Sequence, residues 1–560
     1  MPQIQYKDFG QLSWEDYMVY NNLPLHPFWS LVEKHVDFSF ADKLCAPLYS
    51  PRGQRPIAPS IKLKIHLIQR YYGLSDRETE MRIIGDLFLK RFLGLPVTCM
   101  SFDHSTIALD RSRMGSDLFH ACHHYILAQA LAKGIWGNQG DRWLVDAFHT
   151  FAPVSIPNAH GLILQAIGRM VRHLKRHHPR LHDLLERDLD ISRVLRPLPK
   201  GVGRKEQLLA FSRLVAHAYA LLAWFENEEV AAIFRAWDDA DERQKSLELK
   251  ALLTRILAEN TKPASQVQGK DDDPPESGRP SSEIAYVERT DKPQDRIVNA
   301  HAPDIRRGAK SKKLTFVGDK VETLVSAETG LILSAEPMAG NASDGQKMAE
   351  MVRDVMEHHG VCPREVVADG AYGYPKYRRQ MEELGVRLTA PVPVPHNAAG
   401  PLQERFRYDS RQDVVICPEG HRSVGKFYNP RMRGHQYRFD KAACTGCPVR
   451  SLCTTSRSER SFFISDHYDM MQQAKRYNQS EAGQAALSLR PRIERVHNAL
   501  KNHHGLKHPR SKSRERFRTE VILTVMVVNI KTILKRVGEK VGSIIRHASR
   551  VRTRMAPVCP

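Results

Sequence analysis

The chain lacks any apolar run long enough to cross a bilayer. Its longest, VILTVMVVNI at 521–530, falls far short of the roughly 20 residues a spanning helix needs, and reads as a core helix. The opening residues, MPQIQYKDFGQLSWEDYMVY, lack the basic stretch followed by an apolar one that marks a secretory signal. Cysteine is scarce, nine in 560 residues; with no such signal this points to a reducing compartment and no disulfide framework. Acid is also in deficit: 63 Asp and Glu stand against 84 Lys and Arg, giving a formal net charge of +21. A soluble chain this basic usually meets a polyanion, nucleic acid being the commonest. The alternative is a basic surface kept for solubility.

What is present is length enough for two to four domains. Residues 1–140 read as helical. Apolar Ile61, Ile65, Ile68 and Tyr72 follow a helical period that breaks at Gly73, and Ser75 with Glu78 makes a capping-box pattern that opens a second helix. Two basic helices joined by a tight turn suit a helix-turn-helix DNA reader; an ordinary helical hairpin has the same pattern. A strand over Trp143–Phe148 follows, with Asp146 inside it. The spacing then predicts a helical block over 157–258 and a polar, proline-rich linker within 259–295. KLTFVGDKVETLV and GLILSAEP read as a hairpin, and Asn341–Asp344 as the cap of a helix through QKMAEMVRDVMEHHG. A strand ending at Asp369, a helix over PKYRRQMEELG and a strand over VRLTAPV complete a unit at 141–395. An irregular cysteine-containing stretch at 396–462 comes next. Residues 463–540 contain a long helix over 480–504, and 541–560 form a basic tail.

Asp146 and Asp369 each sit in or at the end of an apolar strand, and Glu494 lies on a helix among basic residues. Two strand aspartates and a helix glutamate are the hard oxygen ligands that a two-metal phosphoryl-transfer site requires. Two carboxylates 4 Å apart repel by roughly 4 kcal/mol at an effective dielectric of 20, so converging acids bind cations or shift their pKa values. Each acid also has an ordinary reading, the aspartates as turn formers or caps and Glu494 as a salt-bridge partner. Asp304, Asp319 and Asp344 compete: Asp344 reads as a helix cap and Asp319 as mid-strand.

In order along the chain, these stretches resemble the DDE transposases of bacterial insertion sequences. YYGLSDRETE and SFDHSTIALDRSRMG are similar to the family's N-terminal domain. LVDAFHTFAP resembles the strand of its first aspartate, VVADGAYGY that of its second, and VVNIKTILKR its closing helix. Arg490, Glu494 and Lys501 are spaced like the Tyr-Arg-Glu-Lys signature of one branch, with Leu487 where that branch has tyrosine.

The resemblance implies a multidomain α+β or α/β protein built on a ribonuclease H-like mixed sheet. A helical N-terminal DNA-binding domain precedes the sheet, and a helical and a cysteine-rich insertion interrupt it. It implies Asp146, Asp369 and Glu494 as catalytic ligands of Mg²⁺ or Mn²⁺, with Arg490 and Lys501 on DNA phosphates. Small Gly370 and Ala371 would leave room for metal and DNA. The partners implied are double-stranded DNA, as terminal inverted repeats and target, and a second copy of the chain in a homodimeric synaptic complex. No membrane is involved, and the location is cytoplasmic at the nucleoid. Strand cleavage and strand transfer are the expected reactions. The alternatives are a non-catalytic DNA-binding descendant and a metal-dependent nuclease.

Cys417, Cys444, Cys447 and Cys453 form C-x26-C-x2-C-x5-C, with His421 as a substitute ligand. The CTGC knuckle can chelate a structural zinc; unligated reduced thiols are the alternative, and iron–sulfur ligation a third. Histidines cluster in HACHH, RHH and NHH; on basic helices they read as solvated or phosphate-facing, and His503 and His504 are not expected to be catalytic ligands.

Overall fold

The computed structural model describes residues 4–554 except 8, 10–11, 100–102, 139, 197–200, 267–283, 312–313, 394–401 and 457, with backbone alone for 403 and 540–554.

The N-terminal region is helical, as its periodicity predicts. Helix α1 (Pro59–Tyr72) begins on a proline, which has no N–H to leave unpaired, and ends at Gly73 with φ 69°. Helix α2 (Asp76–Gly85) opens on the reciprocal box: Ser75 N–H donates to Glu78 Oε2 at 2.7 Å, and Glu78 N–H to Ser75 Oγ at 3.2 Å. Helix α3 (His104–Ala132) carries one break, at Gly115. Trp29, Leu63, Ile68, Phe92 and Phe119 are the heart of the core they share.

Five strands make the central sheet: β1 (Arg142–His149), β2 (Thr315–Ser326), β3 (Ile332–Ala339), β4 (Glu365–Val367) and β5 (Arg387–Thr389). Their order is β3-β2-β1-β4-β5, with Arg306–Ala309 pairing β2 as a sixth strand. The β3-β2-β1 pairs are antiparallel and the β1-β4-β5 pairs parallel. This is the ribonuclease H-like arrangement. Period-two alternation gives β1 two faces. Trp143 and Val145 enter the core shared with the N-terminal helices, while Leu144 and Phe148 enter a second core on the other face. Asp146 shares the parity of Leu144 and Phe148, so it belongs to the second face.

Between β1 and β2 the chain makes a helical lobe with its own core, running from Ala159–His177 to Ala240–Asn260 and including Ile167, Leu214, Leu221 and Leu253. The last helix continues through the expected start of the linker, and Thr261–Pro263 pairs with Tyr286–Glu288. Residues 267–283 of that linker lie outside the described residues. No single described helix is long and apolar enough to cross a membrane. The bent pair Arg204–Trp224 and Glu228–Arg235 passes by length and composition, but its apolar residues are packed inside this lobe.

Helix α4 (Met348–His359) crosses from β3 to β4. It begins later than expected, and Asp344 does not cap it: that carboxylate pairs with Lys320 at 2.8 Å. Buried Glu322 instead accepts the N–H groups of Gly345 and Lys347 at 2.6 and 2.8 Å. The cysteine-containing stretch is more regular than expected, with one two-stranded and one three-stranded antiparallel sheet around Phe406, Val415 and Tyr437. The expected long helix over 480–504 is broken. Glu481–Leu487 is followed by a turn at Pro491, which cannot donate to the preceding turn. Helix α5 (Arg492–Asn498) then passes into a π-helical turn, Ala499–His503. Helix α6 (Arg514–Arg554) packs against both the sheet and the N-terminal helices.

Candidate active site

Strand register brings the two aspartates side by side. Leu144 of β1 is level with Val367 of β4, and Asp146 and Asp369 each lie two residues further along parallel chains. Asp369 keeps an extended backbone, and Val367 shares the core of Leu144, so both carboxylates emerge on one face. Thr323 of β2 stands directly opposite Asp146 and extends the row. Helix α5 lies over this face through buried Ile493 and Leu500.

Burial pushes the Asp146 carboxyl up to about 6, and Asp369 adds to the rise; the Ala147 N–H, 2.8 Å away, and the Arg490 guanidinium oppose it. His497 of α5 stands over Asp146, with Nδ1 3.9 Å from its Oδ2, and its Nε2 is 2.8 Å from Thr323 Oγ1. Burial holds this imidazole down at about 3, so it is neutral and supplies no counter-charge at pH 7. Among the described residues the Asp369 carboxylate accepts only the N–H of Ala371, at 2.8 Å. Glu494 is exposed on α5, one turn before His497, and its carboxylate has no hydrogen-bond or ion-pair partner among the described residues. In a chain with 84 Lys and Arg, none of Asp146, Asp369 and Glu494 forms an ion pair with either type among the described residues. Two adjacent unneutralised carboxylates, with a third on the helix above, are a donor set that fits a hard divalent cation.

The competing acids are occupied. Asp319 is buried and held by the Arg514 guanidinium at 3.2 Å, the Asp304 carboxylate accepts the Arg514 backbone N–H at 3.4 Å, and Asp344 is paired with Lys320. Gly370 has open space around it, with the nearest atom 3.9 Å from an added Cβ. The close approach is at Gly373, where a Cβ would fall 1.9 Å from the Pro391 carbonyl oxygen.

Arg490 is half-buried beside Asp146, its Nε without a partner. Lys501 lies 5.9 Å over the Phe148 ring; burial lowers its pKa, and Lys310 and Lys507 lower it further. Lys310, Lys501 and Lys507 also act on His149, whose pKa burial has already lowered. A basic cluster therefore stands at the end of β1 next to the acids. Sequence reasoning missed Lys310 and Lys507, because each is one of several basic residues in its stretch and nothing local marks which of them reaches the site. His503 and His504 lie elsewhere, His503 near Asn498 at 3.4 Å and His504 beside Lys531 at 3.1 Å.

Cys417, Cys444, Cys447 and Cys453 line one cavity of about 30 Å³, with His421 also on its wall. The three other cysteines all act on the Cys453 thiol, which burial pushes upward. The histidines of HACHH depart from expectation: His123 and His124 are buried and His120 half-buried, packed toward α4 and the sheet.

Residues 416–534 match the family described as Transposase DDE domain, and residues 17–113 match Transposase domain (DUF772). The first match takes in the cavity-lining cysteines, α5 and Glu494, and the second α1 and α2; Asp146 and Asp369 lie between them. No curated protein matches the chain. Transposase-family matches on both sides of a ribonuclease H-like sheet support a DDE transposase of an insertion sequence.

Proposed function

We propose that the protein binds the ends of an insertion sequence and catalyses metal-dependent DNA strand cleavage and strand transfer. The observation that carries this reading is the row of Asp146 and Asp369 on one sheet face beneath the Glu494 helix, none of the three paired with Lys or Arg. Asp146, Asp369 and Glu494 would hold divalent metal, Mg²⁺ or Mn²⁺. When bound, the metal supplies charge stabilisation to the transferring phosphoryl group.

The chain's own residues prepare that site. Burial keeps Asp146 poorly solvated, which strengthens its affinity for a cation. His497 stays neutral, fixes Thr323 and walls off Asp146 from the helix side without competing for its charge. Lys310, Lys501 and Lys507 would hold the DNA backbone alongside, and Arg490 would meet phosphate next to the acids. The chemistry is in-line displacement at phosphorus, first by water at the element end and then by the freed 3′-OH on target DNA. An insertion sequence has two ends, each of which must pass through both steps, and a homodimer is the partner state this implies. The helices α1 and α2 are the proposed reader of the terminal repeats.

The cysteine cavity is proposed to hold one structural zinc through Cys417, Cys444, Cys447 and Cys453. The four cysteines on the wall of one small cavity support it. Incubation with a supercoiled plasmid carrying the native ends tests the reading. Mg²⁺-dependent cleavage at those ends and joining to target DNA are expected; cleavage anywhere in the plasmid regardless of the ends would make the protein a nuclease instead.

A further inference from the structure

A second cluster of metal-ligating side chains lies away from the acids, where α3 packs on α4. His120 and His124 are four residues apart, so both project from one face of α3. Asp354 meets them from α4: its Oδ2 is 3.5 Å from His120 Nε2 and 3.0 Å from His124 Nε2. All three ligand atoms lie within 4.8 Å of one another. Two ligands about 2.0–2.1 Å from a tetrahedral ion stand about 3.3 Å apart. The two observed nitrogen–oxygen separations bracket that value.

The surroundings are those of a ligand set. His124 Nδ1 is 3.0 Å from His359 Nε2, a hydrogen bond that can fix the ring with Nε2 turned to Asp354. The other oxygen of Asp354 is 3.2 Å from His358 Nδ1. Glu336, the next nearest carboxylate at 4.0 Å from His120, is already held through both oxygens by Arg518 at 2.8 and 2.9 Å. Its charge is therefore committed, and the set remains two imidazoles and one carboxylate.

We propose that His120, His124 and Asp354 form a binding site for a borderline divalent transition metal of the zinc type, clamping α3 to α4. Nitrogen donors select such an ion over Mg²⁺, so the site is separate in chemistry from the one at Asp146. Half exposure of His120 and Asp354 leaves room for water as a fourth ligand. The clamp joins the N-terminal helices to the helix that leads into β4, the strand whose end sets Asp369.

The test is zinc counted per chain in full-length protein that has been loaded with Zn²⁺ and freed of excess. His124→Gln and Asp354→Asn should each contain one equivalent less than the parent, whatever the cysteines hold. Equal zinc in parent and both variants overturns the proposal. X-ray absorption at the zinc edge of the parent guards against a folding defect in the variants. A nitrogen or oxygen shell at about 2.0–2.1 Å beside any sulfur shell is expected, and sulfur alone overturns the proposal.

Discussion

The charge on Asp146 works against the fold, and that can be measured. In the folded chain its carboxyl is pushed up to about 6, against the ordinary 3.8. An acid with a raised folded pKa binds its proton more tightly when folded. Stability is therefore fully present below the unfolded pKa and is lost as pH rises through the folded one. A shift of about 2 units corresponds to about 3 kcal/mol lost at pH 7.5, falling to about 1 kcal/mol at pH 4.5. That is as much as complete burial of a neighbour such as Leu144 contributes, about 1.5–3 kcal/mol. Asp146→Asn keeps an oxygen to accept the Ala147 N–H and removes the charge. In EDTA at pH 7.5 the variant should unfold several degrees above the parent, and the gap should shrink by about two-thirds at pH 4.5. Calorimetry at both pH values reads this directly, following the transition of the unit that holds the sheet. Mg²⁺ should raise the parent's transition and move the variant's little. A variant no more stable than the parent at pH 7.5, or a gap that ignores pH, would refute the reasoning.

Other outcomes follow from the same geometry. Asp146→Ala, Asp369→Ala and Glu494→Ala should each lower strand cleavage at least a hundredfold, about 2.7 kcal/mol in the barrier, while end-DNA binding measured by gel shift persists. Retention of more than a hundredth of the parent rate removes that residue from the site. Asp319→Ala should instead lose stability, because it leaves Arg514 without its buried partner. Arg490→Ala and Lys501→Ala should weaken binding similarly across DNA sequences and flatten the plot of log affinity against log salt by about one unit. An unchanged slope for both means that the segment around α5 does not face DNA. Cys444→Ser should lose one zinc per chain by elemental analysis and expose the 402–465 region to protease; an active parent with no zinc or iron would make these cysteines free thiols.

The sheet was legible because its strands are written in strong local patterns. The apolar run in RWLVDAFH, the SAETG turn and the apolar run before Asp369 each specify an element without help from elsewhere, and so does the box of Ser75 and Glu78. Features that depend on distant partners were not legible. Asp344 looks like a cap, yet Lys320 takes its charge and Glu322, from the neighbouring strand, takes the N–H groups. Periodicity runs through 480–504, but the missing N–H of Pro491 divides it. The HACHH histidines look solvated because composition does not reveal which face of a helix is covered; α4, 230 residues away, covers theirs. The adjacency of Asp146 and Asp369 comes from register between β1 and β4, which no local signal encodes.

The helical lobe between β1 and β2 sets a timetable for synthesis. The partner strand of β1 begins 166 residues after β1 ends, and Asp369 follows Asp146 by 223 residues. At about 5–20 residues per second, the first acid waits on the order of 10–45 s on the ribosome for the second, and longer for Glu494. During that interval β1 has neither hydrogen-bonded neighbour, while the lobe can complete its own core. A nascent or truncated chain therefore carries the N-terminal helices without an assembled acid row. On the proposed function, fragments that end inside the lobe would bind the element ends without cutting them and compete there with the full-length chain.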